Sequence, residues 1–147
     1  MKNRYMELSI YGEKTYRVFL DLIKHELDKL DIIDITAIQA FILMNISGNV
    51  VTIGEVLTRG YYIGSNASYN LRKMITNGYL AQSTTDYDKR TCHLRITEKG
   101  KKLCETLGKI LDMRTAKIMG TADLEKGLSL LKKVENSLKD SLRMSSL

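Results

Sequence analysis

Near the start of the chain, apolar side chains recur at helical spacing: Tyr16, Phe19, Leu20, Ile23, Leu27 and Leu30. Charged residues (Lys14, Arg17, Asp21, Lys24, Glu26, Asp28) fill the positions between them. The pattern predicts an amphipathic first helix from about Ser9 to Leu30. After a short break at Asp31 to Asp34, Thr36-Ala37-Ile38-Gln39 has capping-box spacing, and the helix it opens, Ala37 to Ile46, is apolar nearly all round. A helix of that kind belongs in the centre of a domain. Ser47-Gly48-Asn49 is the expected stop. Thr52-Ile53-Gly54-Glu55 repeats the capping box and predicts a short helix through about Arg59.

The chain turns at Gly60 and the Tyr61-Tyr62-Ile63-Gly64 segment, and Ser65 is the expected N-cap of a helix over Asn66 to Asn77 that stops at Gly78. On that helix Ala67, Leu71, Met74 and Ile75 share one face. Ser65, Tyr69, Arg72, Lys73 and Thr76 share the other, with Asn66 and Asn70 at its edge. Tyr79 to Thr84 and Thr91 to Ile96 are rich in Thr, Tyr and aliphatics and predict two strands, with Thr85 to Arg90 as a polar tip. Thr97 should cap a helix from Glu98 to about Met119, striped by Leu103, Leu107, Ile110, Leu111 and Ile118. Thr121 should cap a last helix striped by Leu124, Leu128, Leu131, Leu138 and Leu142. The predicted fold is mainly α with a small β-hairpin wing, a winged helix-turn-helix flanked by long helices at both ends.

Composition narrows this little. The 147 residues are 44% hydrophobic and 27% charged, as in ordinary globular domains, and the absence of proline favours long helices. The net charge of +6 suits a polyanionic partner. Two cysteines, Cys92 and Cys104, are too few for a disulfide framework and fit a reducing compartment. The first residues carry no apolar signal core, and no window approaches the roughly 18 apolar residues that span a bilayer. A cytoplasmic chain with no membrane partner is expected.

Catalytic chemistry is poorly represented, and no enzyme activity, cofactor or metal is expected. His25 and His93 are not at metal-ligand spacing with each other or with the cysteines, and no Gly-rich phosphate loop occurs. Asp86 and Asp88 could pair as acids, but a hairpin tip beside Lys89 and Arg90 is a poor place to raise a carboxylate pKa. Cys92 or Cys104 could sense redox state, with Lys101 and Lys102 favouring a Cys104 thiolate; packed small side chains are the plainer account. The outward face of the Asn66–Asn77 helix mixes Asn, Ser, Tyr, Arg and Lys, side chains that donate to phosphates and base edges. Ser65, Asn66, Ser68, Tyr69, Asn70, Arg72 and Lys73 are therefore candidate DNA contacts, with Lys89 and Arg90 on the hairpin. The leucine seams of the terminal helices imply a homodimer.

The segment from Leu57 to Gly78, the hairpin with Asp88-Lys89-Arg90, and Leu94-Arg95-Ile96-Thr97-Glu98-Lys99-Gly100 together resemble the MarR family of bacterial winged-helix transcription regulators. The family's wing has an acidic residue and arginines, a short strand, then Leu-Thr-x-x-Gly opening the next helix. Asp88, Lys89, Arg90, Ile96, Thr97 and Gly100 match it in order. Tyr87 stands where the family often has an earlier wing arginine, and the helix-turn-helix turn is about one residue longer and unusually aromatic. In that turn the chain is similar to an alphaproteobacterial branch that includes regulators of L,D-transpeptidase genes.

The resemblance implies a dimer formed by the first and last two helices (1–34 and 98–147) around a DNA-binding lobe at 35–97. It also implies a recognition helix from Ser65 to Thr76 in the major groove, Arg90 near the minor groove, and a pseudo-palindromic double-stranded operator. A small-molecule effector between the lobes is implied as well, for which Phe19, Ile23, Phe41 and Tyr62 are candidate lining. A winged helix used for protein interaction without DNA binding, and a thiol-based regulator, are the alternatives.

Overall fold

The computed structural model describes residues 3–46, 51–58, 65–85, 88–117 and 120–144. The elements run α1 (Arg4–Lys29), α2 (Ala37–Ile46), β1 (Val51–Thr52), α3 (Ile53–Thr58), α4 (Ser65–Thr76), β2 (Leu80–Thr85), β3 (Asp88–Ile96), α5 (Glu98–Thr115) and α6 (Thr121–Met144). They fall into two compact units, Met1–Leu107 and Gly108–Leu147.

The first helix begins five residues earlier than its apolar stripe suggests. Asn3 Oδ1 accepts from the Tyr5 and Met6 amides at 3.0 and 3.4 Å, an N-cap that starts the helix before its core-facing positions do. Its end is a Schellman motif: Ile32 N–H donates to Leu27 O, Asp31 N–H donates to Asp28 O, and Asp31 takes φ 55°. The same motif closes α4 at Gly78 (φ 77°), where Tyr79 N–H reaches Met74 O and Gly78 N–H reaches Ile75 O. Glycine carries no Cβ penalty in that conformation, so the expected stop at Gly78 holds for the expected reason.

Both capping boxes form. Gln39 N–H donates to Thr36 Oγ1 at 3.3 Å while Gln39 Oε1 accepts from Thr36 N–H at 3.0 Å. Glu55 N–H donates to Thr52 Oγ1 at 3.1 Å, and Glu55 Oε2 accepts from Thr52 N–H at 2.7 Å. The apolar α2 is central as expected, with Ala40, Ile42, Leu43 and Ile46 buried. They pack in the first unit with Ile23, Leu27, Val51, Val56, Ala67, Leu71, Met74, Leu80, Leu94, Leu103 and Leu107, all buried.

The sheet is antiparallel with order β1-β3-β2. Its two-residue first strand has no counterpart in the sequence reading; it pairs Val51 with Leu94 and Thr52 with His93. The third strand starts at Asp88, so Asp88, Lys89 and Arg90 lie on a strand and not in the polar tip expected for them. A register shift between Thr84 and Thr85 brings Thr85 opposite Asp88 and extends the ladder.

The fifth helix ends at Thr115, short of Met119. Thr115 Oγ1 turns back to Leu111 O at 2.9 Å, the local bonding by which a hydroxyl competes with helix continuation. At the start of α6 the Gly120 carbonyl accepts from both Asp123 and Leu124 amides, so Thr121 is the first helical residue and not the cap. No side chain of α6 is buried. Ser47 to Asn49, the Gly60–Gly64 turn, the Asp86–Tyr87 tip and Ile118 lie outside the described residues.

Candidate nucleic-acid interface

The fourth helix is held from its inner side. Ala67, Leu71 and Met74 are buried, and Asn70, which the helical wheel placed at the edge of the polar face, is only 8% exposed. Asn70 Oδ1 accepts from Gln39 Nε2 at 3.1 Å. Gln39 is itself 5% exposed and is the residue that closes the α2 capping box, so one side chain ties the start of α2 to the middle of α4. Asn70 is thereby corrected from an outward contact to an inward anchor: a polar group at that depth needs a partner, and Gln39 supplies it.

Asn66, Ser68, Tyr69, Arg72 and Lys73 do face outward and are exposed. Lys73 Nζ lies 5.8 Å from the Tyr69 ring centroid, one helical turn apart, which keeps ring and ammonium on a common ridge. Beside this ridge a groove of about 390 Å³ runs between the start of α2 and α4, lined among others by Thr36, Gln39, Tyr69, Asn70 and Lys73. Ser65 is the first residue of α4, and Lys89 and Arg90 lie on β3 beside the turn to β2. The side chains of these three, and Tyr62, are outside the described set.

The helix after the hairpin is seated by Thr97 and Gly100. Gly100 N–H donates to Thr97 Oγ1 at 3.2 Å, the N-cap bond, and Thr97 Oγ1 donates to Gly78 O at 2.6 Å. Thr97 N–H donates to Tyr79 O at 3.1 Å. A Cβ on Gly100 would lie 2.5 Å from that same Tyr79 oxygen and 2.7 Å from Ile96 Cγ2. The Thr-x-x-Gly spacing therefore has a steric cause: only glycine lets the first turn of α5 rest on the backbone where α4 passes into β2.

A polar node that sequence reasoning missed lies next to this seat. Asp34 Oδ1 accepts from Tyr79 Oη and Asp34 Oδ2 from Lys99 Nζ, both at 2.5 Å. Lys99 Nζ also donates to Asn77 O at 2.9 Å and lies 4.2 Å from the Tyr79 ring centroid, while Asn77 Nδ2 donates to Asp34 O at 2.5 Å. The Lys99 ammonium and then the Tyr79 hydroxyl hold the Asp34 carboxyl below its ordinary range. Burial first, and Asp34 second, push the Tyr79 phenol up. The node joins the end of α4 to the 30–34 loop and the start of α5.

Of the residues expected to line an effector cavity, Ile23 is fully buried, and Phe19 and Tyr16 each meet Phe41 edge to face at 6.0 and 5.3 Å. Tyr16, Phe19 and Phe41 form an edge-to-face aromatic cluster in which each ring is half-buried. Cys104 is half-buried, and burial, with Glu105 second, pushes its thiol up to about 11. That reverses the expectation that Lys101 and Lys102 favour a thiolate, because desolvation dominates and the Lys101 ammonium is paired with Glu98. Among the described residues no group of three or more His, Cys, Asp or Glu is placed to hold a metal ion, and no helix is long and apolar enough to cross a membrane.

A winged helix DNA-binding domain family model matches residues 35–100. The exopolysaccharide II synthesis transcriptional activator ExpG of Rhizobium meliloti (strain 1021) is 39% identical over 103 residues, 70% of this chain and 53% of that protein. The chain thus spans about half the length of this curated relative. Among solved structures, an S. aureus MepR–DNA complex superposes with TM-score 0.70 at 19% identity, covering 89% of this chain and 97% of that one. A mutant MarR from E. coli complexed with operator DNA gives 0.69 at 23% identity, covering 90% and 96%. At these identities the structural likeness is one of fold. The fold is a winged helix, and residues 35–100 are the part that matches a winged helix DNA-binding domain. The MepR and MarR structures share that winged-helix fold with this chain.

Proposed function

We propose that the chain acts as a homodimer that binds a pseudo-palindromic operator, with 35–97 as the reading lobe and 1–34 and 98–147 as dimerisation helices. The observation that carries the reading is the two-sided character of α4. Its inner face is locked by Leu71, Met74 and the Gln39–Asn70 bond, while Asn66, Ser68, Tyr69, Arg72 and Lys73 are presented outward on a rigid element. A recognition helix needs both properties. Lys73, Lys89 and Arg90 are assigned to phosphates, and Asn66, Tyr69 and Arg72 to base edges.

Dimerisation is supported by exposed apolar side chains in each unit. Tyr5, Met6, Leu8, Ile10, Tyr11 and Val18 are exposed on α1, and Leu124, Leu128, Leu131, Leu138 and Leu142 on α6. Seams of this kind are costly in water and are covered by a second copy. Two reading helices related by a two-fold then address half-sites about 34 Å apart. The proposal places the chain in the cytoplasm, gives it no catalytic step, and makes its operator affinity responsive to a small molecule. The relative ExpG is an exopolysaccharide II synthesis transcriptional activator. Exopolysaccharide promoters are therefore the first DNA to try, beside the DNA upstream of the chain's own gene.

The test is fluorescence anisotropy on footprinted promoter DNA across a salt series. Arg90→Ala should weaken binding to every sequence and reduce the salt slope by about one ion. Arg72→Ala should relax base preference by about 1–3 kcal/mol. Failure to shift any promoter DNA at low salt would favour the protein-interaction reading instead.

A further inference from the structure

A concavity of about 550 Å³ lies in the first unit between the 30–34 loop and the first half of α5. From α5 it is lined by Lys99, Lys102, Leu103 and Thr106, whose spacing puts them on one helix face. The opposite wall includes Ile33, which is 92% exposed, and Asp31. The two ammonium groups differ. That of Lys99 is engaged by Asp34, the Asn77 carbonyl and the Tyr79 ring. That of Lys102 makes no ion pair or hydrogen bond among the described residues, although it stands on an apolar wall. The acidic groups facing the concavity are Asp34, both of whose oxygens already accept, and Asp31.

We propose that this concavity binds a small monocarboxylate with an aliphatic body, its carboxylate on Lys102 and its chain against Ile33 and Leu103. An unpaired cation beside exposed aliphatic surface matches that chemistry, and the volume lies within the range of about 300–1,000 Å³ typical of small-molecule sites. The bound carboxylate also competes for Lys99. Drawing Lys99 away loosens its bonds to Asp34 and to the Asn77 carbonyl, which immediately follows α4. Occupancy is thus transmitted to the helix assigned above to DNA, and this last clause alone rests on the proposed function.

Calorimetry on the full chain without DNA tests the site, using decanoate with decanol and decylammonium as neutral and cationic counterparts. Decanoate should bind once per chain and more tightly than either counterpart. Lys102→Met, which keeps the apolar stem, should weaken it about tenfold. Ile33→Ser, which keeps the charge, should also weaken it, and Asp31→Asn should tighten it by removing a like charge. Equal binding of decanol, or unchanged decanoate affinity in both Lys102→Met and Ile33→Ser, overturns the site. Decanoate should then raise the operator Kd of the wild-type chain but not of Lys102→Met. An operator Kd that ignores decanoate in a chain that binds it through Lys102 overturns the coupling. A chain that shifts no DNA while calorimetry succeeds overturns the operator reading and leaves the site standing.

Discussion

Replacing Gly100 by alanine tests whether the seat of α5 is steric. The added Cβ would lie 2.5 Å from the Tyr79 carbonyl oxygen and 2.7 Å from Ile96 Cγ2. Ordinary carbon–oxygen contacts lie at about 3.3–3.6 Å, so backbone must move by about 1 Å. Neither obstacle is a flexible side-chain end: one is main chain, and the other is a buried β-branched residue. Overpacking of this kind costs about 3 kcal/mol at its upper end. Alanine returns about 1 kcal/mol over glycine within a helix. The net expectation is a loss of about 2 kcal/mol, or about 4–8 °C in Tm for a chain of this size. Gly108 is the internal control, because it lies on the same helix with nothing within 4 Å of its added Cβ. Gly108→Ala should stabilise by up to about 1 kcal/mol. Urea unfolding at one protein concentration measures both, and the difference should appear in the midpoint with the slope unchanged. If the two alanines shift the midpoint alike, or Gly100→Ala is the more stable, α5 is not seated by contact with Tyr79.

Three further outcomes follow from the same geometry. Asn70→Ala should cost about 1–3 kcal/mol in urea unfolding because it strands the buried Gln39 amide; a cost below that range would mean that Gln39 finds another acceptor. Because the folded pKa of Asp34 is depressed, its contribution is present above the unfolded value of about 3.9 and is lost as pH falls through the lower folded value. Asp34→Asn should therefore show a flatter acid limb than wild type in unfolding curves taken below about pH 5, and identical acid limbs would remove the node from the account. With its thiol raised to about 11, Cys104 should alkylate slowly at neutral pH, and Cys104→Ser should retain operator binding after mild peroxide; rapid iodoacetamide labelling in the folded state would contradict its burial.

The exposed stripes bear on self-association. Helix α6 is amphipathic, with regular exposed leucines and no buried side chain. Burying a leucine is worth about 1.5–3 kcal/mol. Five such residues make a large driving force for pairing, while charged pairs such as Glu135–Lys139 on the same helix are exposed and contribute little. Self-association should therefore be insensitive to salt, whereas operator binding should be strongly salt-dependent.

What the sequence determined by itself is whatever depends on near neighbours. The two capping boxes, the Gly78 stop and the buried face of α2 involve residues within a turn of one another, and each formed as its spacing implied. The outward ridge of Asn66, Tyr69, Arg72 and Lys73 was legible for the same reason, since a helix repeats its faces locally. Long-range pairing decided the rest. A two-residue strand such as Val51–Thr52 has no periodicity to detect and exists because Leu94 and His93 lie beside it. Asn70 sits at the border of its helix's polar face, and only the approach of Gln39 turned it inward. The Asp34–Tyr79–Lys99 node joins the 30–34 loop, the end of α4 and the start of α5, and nothing in its parts announces the whole. Gly100 falls between these cases: the Thr-x-x-Gly pattern was visible, but its cause, a carbonyl 2.5 Å from the missing Cβ, belongs to the tertiary structure alone.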